Sequence, residues 1–298
     1  MIQSLINSAI MAGLIALPAL GITVIFAVQK FAHAAHGSFI MLGAYFAYTL
    51  SVIFNLNFGV SALVTIPSVG LLAILLNESV YTRLKPYGGL TLMVGSLAVA
   101  ISIDNLARAI WGPDPMRYKI ALGDPIIVMG GSITPVQVIT LVSSVSAMIG
   151  FHLLLTKTKI GKAWRAYSSN SNLALSSGIN TNVIVRWLWL ICGSYAALGG
   201  ILFGMDTQLE PLMGWNILIT LFAACILGGI GNPYGAMLGS VVMGFAMSFI
   251  PAVNWGQSLF LGFNWYVPTL YKYAIGYVVM IVVLIFRPRG ILKGQKGD

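Results

Sequence analysis

The chain alternates long apolar runs with short polar breaks. With edges loose by several residues, the runs cover about 5–28, 37–56, 59–80, 87–108, 136–155, 184–204, 214–231, 235–253 and 267–286. A helix rises 1.5 Å per residue, so about 20 residues cross the roughly 30 Å hydrocarbon core of a bilayer, and each run has about that length. Two junctions, Asn55 to Gly59 and Gly231 to Tyr234, are short enough to be either tight turns or re-entrant half-helices. The pattern predicts an all-α polytopic membrane protein with about eight to ten transmembrane or re-entrant helices, forming a single domain over residues 1–298. The opening Met1 to Phe26 is too long and too weakly basic for a cleaved leader, and it carries Pro18; it is expected to remain as the first span.

Composition removes the soluble alternative. The chain is 58% hydrophobic and 8% charged, with a mean hydropathy of +0.91. Soluble domains carry about 25% charged residues, and so few charges would leave a soluble surface uncovered. The formal charge of +9 and pI near 9.6 do not point to nucleic acid, because the positive residues sit at the ends of apolar runs. Anionic lipid headgroups are the simpler partners.

The longest polar break, 156–182, holds Lys157, Lys159, Lys162 and Arg165 within nine residues. Positive charge concentrates on the cytoplasmic side of membrane proteins. Nine spans with an external amino terminus place Lys30, Arg83, Lys85, that cluster, Arg186, Arg287, Arg289, Lys293 and Lys296 inside. Arg108, Arg117, Lys119 and Lys272 then lie outside, a split of twelve to four. The expected topology is N-terminus outside and C-terminus inside. On the outer side, 109–135 holds Pro113, Pro115, Pro125 and Pro135 and predicts turns, with room for one interfacial helix.

Glycine is the other organising residue. Gly193, Gly199, Gly200, Gly204, Gly228, Gly229, Gly231, Gly235, Gly239 and Gly244 leave little side-chain volume, which predicts close helix packing. Packing is the favoured reading, although the GGIG run could also break a helix at a solute site. HGSFIMLGAYFAYTL at 36–50 and YGAMLGSVVMGFAMS at 234–248 form a faint internal echo.

Candidate chemistry is sparse. Glu78 is expected near interfacial water, and Asp104 with Arg108 at i,i+4 as a local ion pair. His33 and His36, three residues apart, could share one helical face and have too few neighbouring ligands for a metal; helix contacts, a gate or a solute contact are the expected roles. Cys192 and Cys225 lack CxxC spacing and read as small core residues. No Walker A sequence is present, so the chain does not itself hydrolyse ATP by the P-loop route. Within 156–182, KAWRAYSSNSNLALSSGI can form a short amphipathic helix with Ala163, Trp164, Tyr167, Leu173 and Leu175 as apolar contacts, and Gly178 as its terminus or a turn.

Four stretches carry a resemblance: TKIGKAWRAYSSNSNLALSSGIN at 158–180, LGGIGNPYGAMLGSVVMG at 227–244, FRPRGILKG at 286–294 and HGSFIMLGAY at 36–45. Over nearly its whole length the chain resembles the permease family of branched-chain amino-acid ATP-binding-cassette importers, in its shorter, LivH-type form. Gly161, Arg165, Ala166, Asn170, Ala174, Gly178, Ile179 and Asn180 carry the first stretch. His33, Ala34 and Ala35 depart from the family's residues before the His-Gly pair.

The resemblance implies a multi-pass subunit of the bacterial cytoplasmic (inner) membrane, without catalytic site, metal or cofactor of its own. Its expected partners are a second paralogous permease subunit, two cytoplasmic ATPase subunits that bind ATP, a periplasmic solute-binding protein and membrane lipids. The segment 156–182 becomes the cytoplasmic coupling segment, with Gly161, Arg165, Ala166, Asn170, Ala174 and Gly178 as the ATPase-coupling residues. The candidate translocation path is placed at His33, His36, Gly37, Tyr45, Gly229 and Gly231. The solute would be a branched-chain or other small amino acid. Alternatives are a urea or short-chain amide importer of the same family, or a stand-alone secondary transporter or channel.

Overall fold

The computed structural model describes residues 2–120, 123–128, 130–255, 264–288 and 290–292. Within them the nine apolar runs become nine apolar helices: α1 (Ile2–Gln29), α2 (His36–Tyr48), α3 (Phe58–Leu76), α5 (Gly89–Trp111), α6 (Pro135–Lys157), α9 (Thr181–Asp206), α10 (Met213–Gly228), α11 (Pro233–Phe249) and α12 (Lys272–Phe286). The short α4 (Thr82–Leu84) prolongs α3, and α7 (Lys159–Ser169) and α8 (Ser171–Ser176) stand between α6 and α9. Among the described residues seven helices, counted with their end turns, are long and apolar enough to span a membrane; α10 and α12 are shorter. Arg289, Lys293 and Lys296, assigned above to the inner side, lie outside the described residues, as does part of the 286–294 stretch.

Both short junctions are turns. Asn55 takes a left-handed φ of 54°, and the Asn57 side chain caps α3 by accepting from the Gly59 amide at 2.9 Å. Gly229 and Gly231 have φ of 112° and 82°, which side-chain-bearing residues resist, and Asn232 accepts from the Tyr234 and Gly235 amides to start α11. The GGIG run therefore reverses the chain between α10 and α11. These two helices pack antiparallel, Gly228 on Gly235 and Gly239 on Ala224.

The core is built on backbone contact. A Cβ on Gly200 would collide with the Ile40 carbonyl, one on Gly43 with Ala197, and one on Gly37 with Gly214. These approaches hold α2 against α9 and α10. Helix α1 is buried along most of its length, with Pro18 against Gly199 and Ala12 against Gly244. Helices α3, α5 and α6 are peripheral and expose rows of apolar side chains such as Leu63, Leu71, Val94, Ile101, Val142 and Ile149.

Two charged features differ from, or extend, the reading above. Asp104 makes no ion pair with Arg108 within 4 Å; among the described residues the one ion pair is Arg186–Glu78 at 2.6 Å. Asp104 lies on the buried stripe of α5 with Leu92, Ser96, Ala100 and Ala107, and there it accepts the Ser38 hydroxyl at 2.7 Å. Arg108 falls one step round the helix and is half-buried. The described part of 109–135 holds no interfacial helix. Ile126–Val128 instead pairs antiparallel with Gly131–Ile133.

Replacing Gly200 by Leu should destabilise the detergent-solubilised protein by roughly 1–3 kcal/mol, the usual cost of overpacking. Gly150→Leu, whose Cβ would have Tyr195 Oη as its nearest neighbour at 3.9 Å, should be close to neutral. Equal thermal shifts for the two variants would contradict backbone-on-backbone packing as the basis of the core.

Candidate functional site

The segment between α6 and α9 folds as two short helices, not one. Thr158 is extended, and its hydroxyl accepts from the Gly161 amide at 3.1 Å, which starts α7. A side chain at position 161 would run into the Leu154 and Leu155 carbonyls, so glycine lets α7 fold tightly back over the end of α6. Gly161, Trp164 and Tyr167, three residues apart, form the buried face. Trp164 donates from Nε1 to the Ile184 carbonyl at 3.1 Å, and Lys85 Nζ reaches the Tyr167 hydroxyl at 3.4 Å. Arg165 donates to the Leu155 carbonyl. Helix α7 is thereby tied to α6, to the end of α3 and to α9.

Asn170 breaks the amphipathic pattern because it is worth more as a cap. In an extended conformation, its side chain accepts from the Leu173 amide at 3.0 Å and starts α8. The end of α8 is a Schellman motif: Ile179 N–H to the Ala174 carbonyl at 3.1 Å, Gly178 N–H to the Leu175 carbonyl at 3.0 Å, and φ of 78° at Gly178. Asn180 then caps α9 by accepting from Val183 N–H. Of the six coupling candidates, Gly161 and Ala174 are buried, while Arg165, Ala166, Asn170 and Gly178 are exposed. Trp164 and Tyr167 face inward, so the apolar groups presented outward are Ala166, Leu173 (64% exposed) and Leu175 (53%).

Of the candidate path residues His33 and His36 come together, their ring centres 5.9 Å apart, while Tyr45, Gly229 and Gly231 make their contacts elsewhere. His33 is fully buried in an aromatic cluster, 3.0 Å from the Tyr81 hydroxyl through Nε2 and 4.9 Å between ring centres from Trp189, which stacks on Tyr81. It lies in the loop between α1 and α2, where burial, and after it the His36 ring, holds the imidazole well below its ordinary range and so neutral at pH 7. His36 donates from Nε2 to the Pro18 carbonyl at 3.0 Å, in the space left by Gly21. Gly37 is the α2–α10 contact. Tyr45 packs 5.1 Å from the Trp111 ring, and its hydroxyl has no partner among the described residues. Gly229 and Gly231 form the α10–α11 turn. Gly231 also lines a cavity of about 320 Å³ with Val24, Leu155, Trp164, Arg165 and Tyr234.

Among the described residues no three His, Cys, Asp or Glu side chains gather as metal ligands, and Cys192 and Cys225 are separate buried thiols. Sequence reasoning missed Tyr81 and Trp189 as the partners of His33. It also missed the Glu78–Arg186 pair, which borders a polar cleft of about 240 Å³ with Asn77, Lys85 and Thr181. The assignment of Arg83, Lys85 and Arg186 to one side of the membrane was the available signal for that pair.

Known proteins bear on this geometry. A family model described as branched-chain amino acid transport system / permease component matches residues 4–284. The high-affinity branched-chain amino acid transport system permease protein BraD of Pseudomonas aeruginosa is 28% identical, over 98% of this chain and 95% of its own length. The probable branched-chain amino acid transport permease protein LivH of Methanocaldococcus jannaschii is 28% identical, over 96% and 90%. Among solved structures, PsaBC from Streptococcus pneumoniae in complex with Fab superposes with a TM-score of 0.51 at 16% identity, covering 96% of this chain and 92% of that one, a likeness of fold.

Alanine at Gly178 would have to hold the left-handed conformation at a cost of about 1 kcal/mol. Gly178→Ala should therefore raise hydrogen exchange of the α8 amides about fivefold while leaving α9 unchanged, and Gly178→Asn should raise it less. Unchanged exchange in the alanine variant would contradict the Schellman end.

Proposed function

This chain belongs to the branched-chain amino acid transport permease family, and we propose that it is the membrane-spanning subunit of an ATP-driven importer of branched-chain or other small amino acids. It is a multi-pass inner-membrane protein. In this reading its amino terminus lies outside, and α7 and α8 stand in the cytoplasm, where ATPase subunits dock on them. A second permease subunit completes the membrane unit, and a periplasmic binding protein supplies the solute.

The observation that carries the proposal is the α7–α8 unit. It presents exposed Ala166, Leu173 and Leu175 on an otherwise polar segment, a surface suited to an apolar groove on a partner. Its other face is tied to α6 through Arg165 and Leu155, and to α9 through Trp164 and Ile184. A push on this unit therefore moves two membrane helices together. ATP is bound and hydrolysed on the partner, and the chain converts the partner's closure into a change in which side of the membrane the solute path opens to. A ligand shifts such an equilibrium only by its difference in affinity for the two states, so the driving energy resides with nucleotide and not with this chain.

The burial of His33, His36, Gly37 and Tyr45 supports a role in holding α2 in place. Gly229 and Gly231 shape the turn next to Arg165. Solute contact then belongs to polar groups that face open pockets.

Ala166→Glu combined with Leu173→Glu places charge on the outward face and touches none of the internal tethers. The double variant should reach the membrane at normal levels, lose co-purification of its ATPase subunits and lower leucine uptake at least tenfold. Normal co-purification and uptake would overturn the coupling assignment.

A further inference from the structure

At the end of the bundle away from α7 and α8, one pocket carries charge of both signs. Its volume is about 520 Å³, within the roughly 300–1,000 Å³ of small-molecule sites, and it is lined by Arg108, Pro113, Pro115, Glu210, Pro211 and Leu212. Two segments form its walls: the stretch following α5, and the loop between α9 and α10. They are pinned together by reciprocal bonds, Met116 N–H to the Leu209 carbonyl at 2.9 Å and Leu209 N–H to the Met116 carbonyl at 2.8 Å. Leu209 is fully buried, and the Tyr118 hydroxyl donates to the Ala44 carbonyl at 2.9 Å, anchoring the first wall to α2. Prolines at 113, 115 and 211 stiffen both walls.

The two charges in this pocket are not used on each other. Arg108 and Glu210 are both half-buried and form no ion pair within 4 Å. No described residue accepts a hydrogen bond from the Arg108 guanidinium, although Asp104 lies within its electrostatic reach. One Glu210 oxygen takes the Gln208 amide at 2.5 Å, which leaves the other available.

We propose that this pocket receives the solute as a zwitterion. Arg108 takes the α-carboxylate through paired N–H donors, Glu210 takes the α-ammonium, and the side chain lies against Pro113, Pro115, Pro211 and Leu212. A zwitterion carries both charges on one carbon, so a site for it must offer both signs while keeping them from neutralising each other; walls stiffened by proline and pinned at Met116–Leu209 do that. A neutral amide such as urea would leave both charges unanswered. The proposal rests on the amino-acid reading above and assigns the solute contact to Arg108 and Glu210.

The test is a titration of the full-length, detergent-solubilised chain with L-leucine, read by saturation-transfer NMR. 4-Methylpentanoate and 3-methylbutylamine, which each keep one of the two charges, serve as comparisons. Wild type should bind leucine at least tenfold more tightly than either analogue. Arg108→Gln and Glu210→Gln should each weaken leucine at least tenfold, with 3-methylbutylamine unaffected by the first change and 4-methylpentanoate unaffected by the second. Arg108→Lys, which keeps the charge but loses the paired donors, should weaken leucine less than Arg108→Gln does, and it remains informative if a neutral variant loses its fold. No leucine binding to wild type, or unchanged leucine binding in both neutral variants with wild-type melting, would overturn the pocket assignment. Leucine import by cells carrying the wild-type chain with its partner subunits tests the parent reading separately: import that persists alongside such a result leaves that reading standing, and absent import overturns it.

Discussion

The structure depends on how closely helix backbones approach one another. In lipid, apolar side chains gain little by turning away from their surroundings, so helices associate through van der Waals contact and the few polar groups they share. Each atom pair contributes only about 0.1–0.2 kcal/mol, and the sum is large only where surfaces meet without gaps. Gly37, Gly43, Gly200 and Gly239 provide such surfaces, because their neighbours are carbonyls and backbone atoms of the facing helix. This fixes α2, α9, α10 and α11 relative to one another and to α1, and leaves α3, α5 and α6 to cover the outside.

A stiff core makes the surface unit on α7 and α8 mechanically useful. A docked partner can transmit motion only through something that does not yield locally. The ties from Arg165 to Leu155 and from Trp164 to Ile184, with tight seating at Gly161, join the unit to two long helices rather than to a loop. The aromatic cluster around His33 and the Ser38–Asp104 bond serve the same end inside the bundle. Asp104 is nearly enclosed, so its bond with the Ser38 hydroxyl secures α2 to the otherwise peripheral α5.

Much of this architecture is legible from hydropathy, for a physical reason. In a bilayer each backbone must satisfy its own hydrogen bonds, so an apolar run of the right length has little choice but to be a helix. The run expected at 136–155 is Pro135–Lys157, and that expected at 184–204 is Thr181–Asp206. What escaped the sequence depends on contacts distant along the chain. Whether GGIG turns or re-enters is decided by the packing of Gly235 and Gly239 on α10, and the choice of Ser38 over Arg108 by Asp104 is decided 66 residues away. The break at Asn170 was locally available as an Asn before a helical turn, but the amphipathic pattern running across it suggested continuity. For the site, the outward position of Ala166 and the left-handed turn at Gly178 were accessible from the motif. The enclosure of His33 and His36, and the facing charges of Arg108 and Glu210, required the fold.

On the proposed function, this bundle moves amino acids only when a nucleotide-driven partner works its α7–α8 unit. The most direct measurement is leucine accumulation in proteoliposomes containing the chain with its second permease subunit, its ATPase subunits and its binding protein. Uptake that requires ATP and ceases with vanadate or with omission of the ATPase is the predicted result. Leucine movement by the chain alone, unaffected by nucleotide, would contradict it.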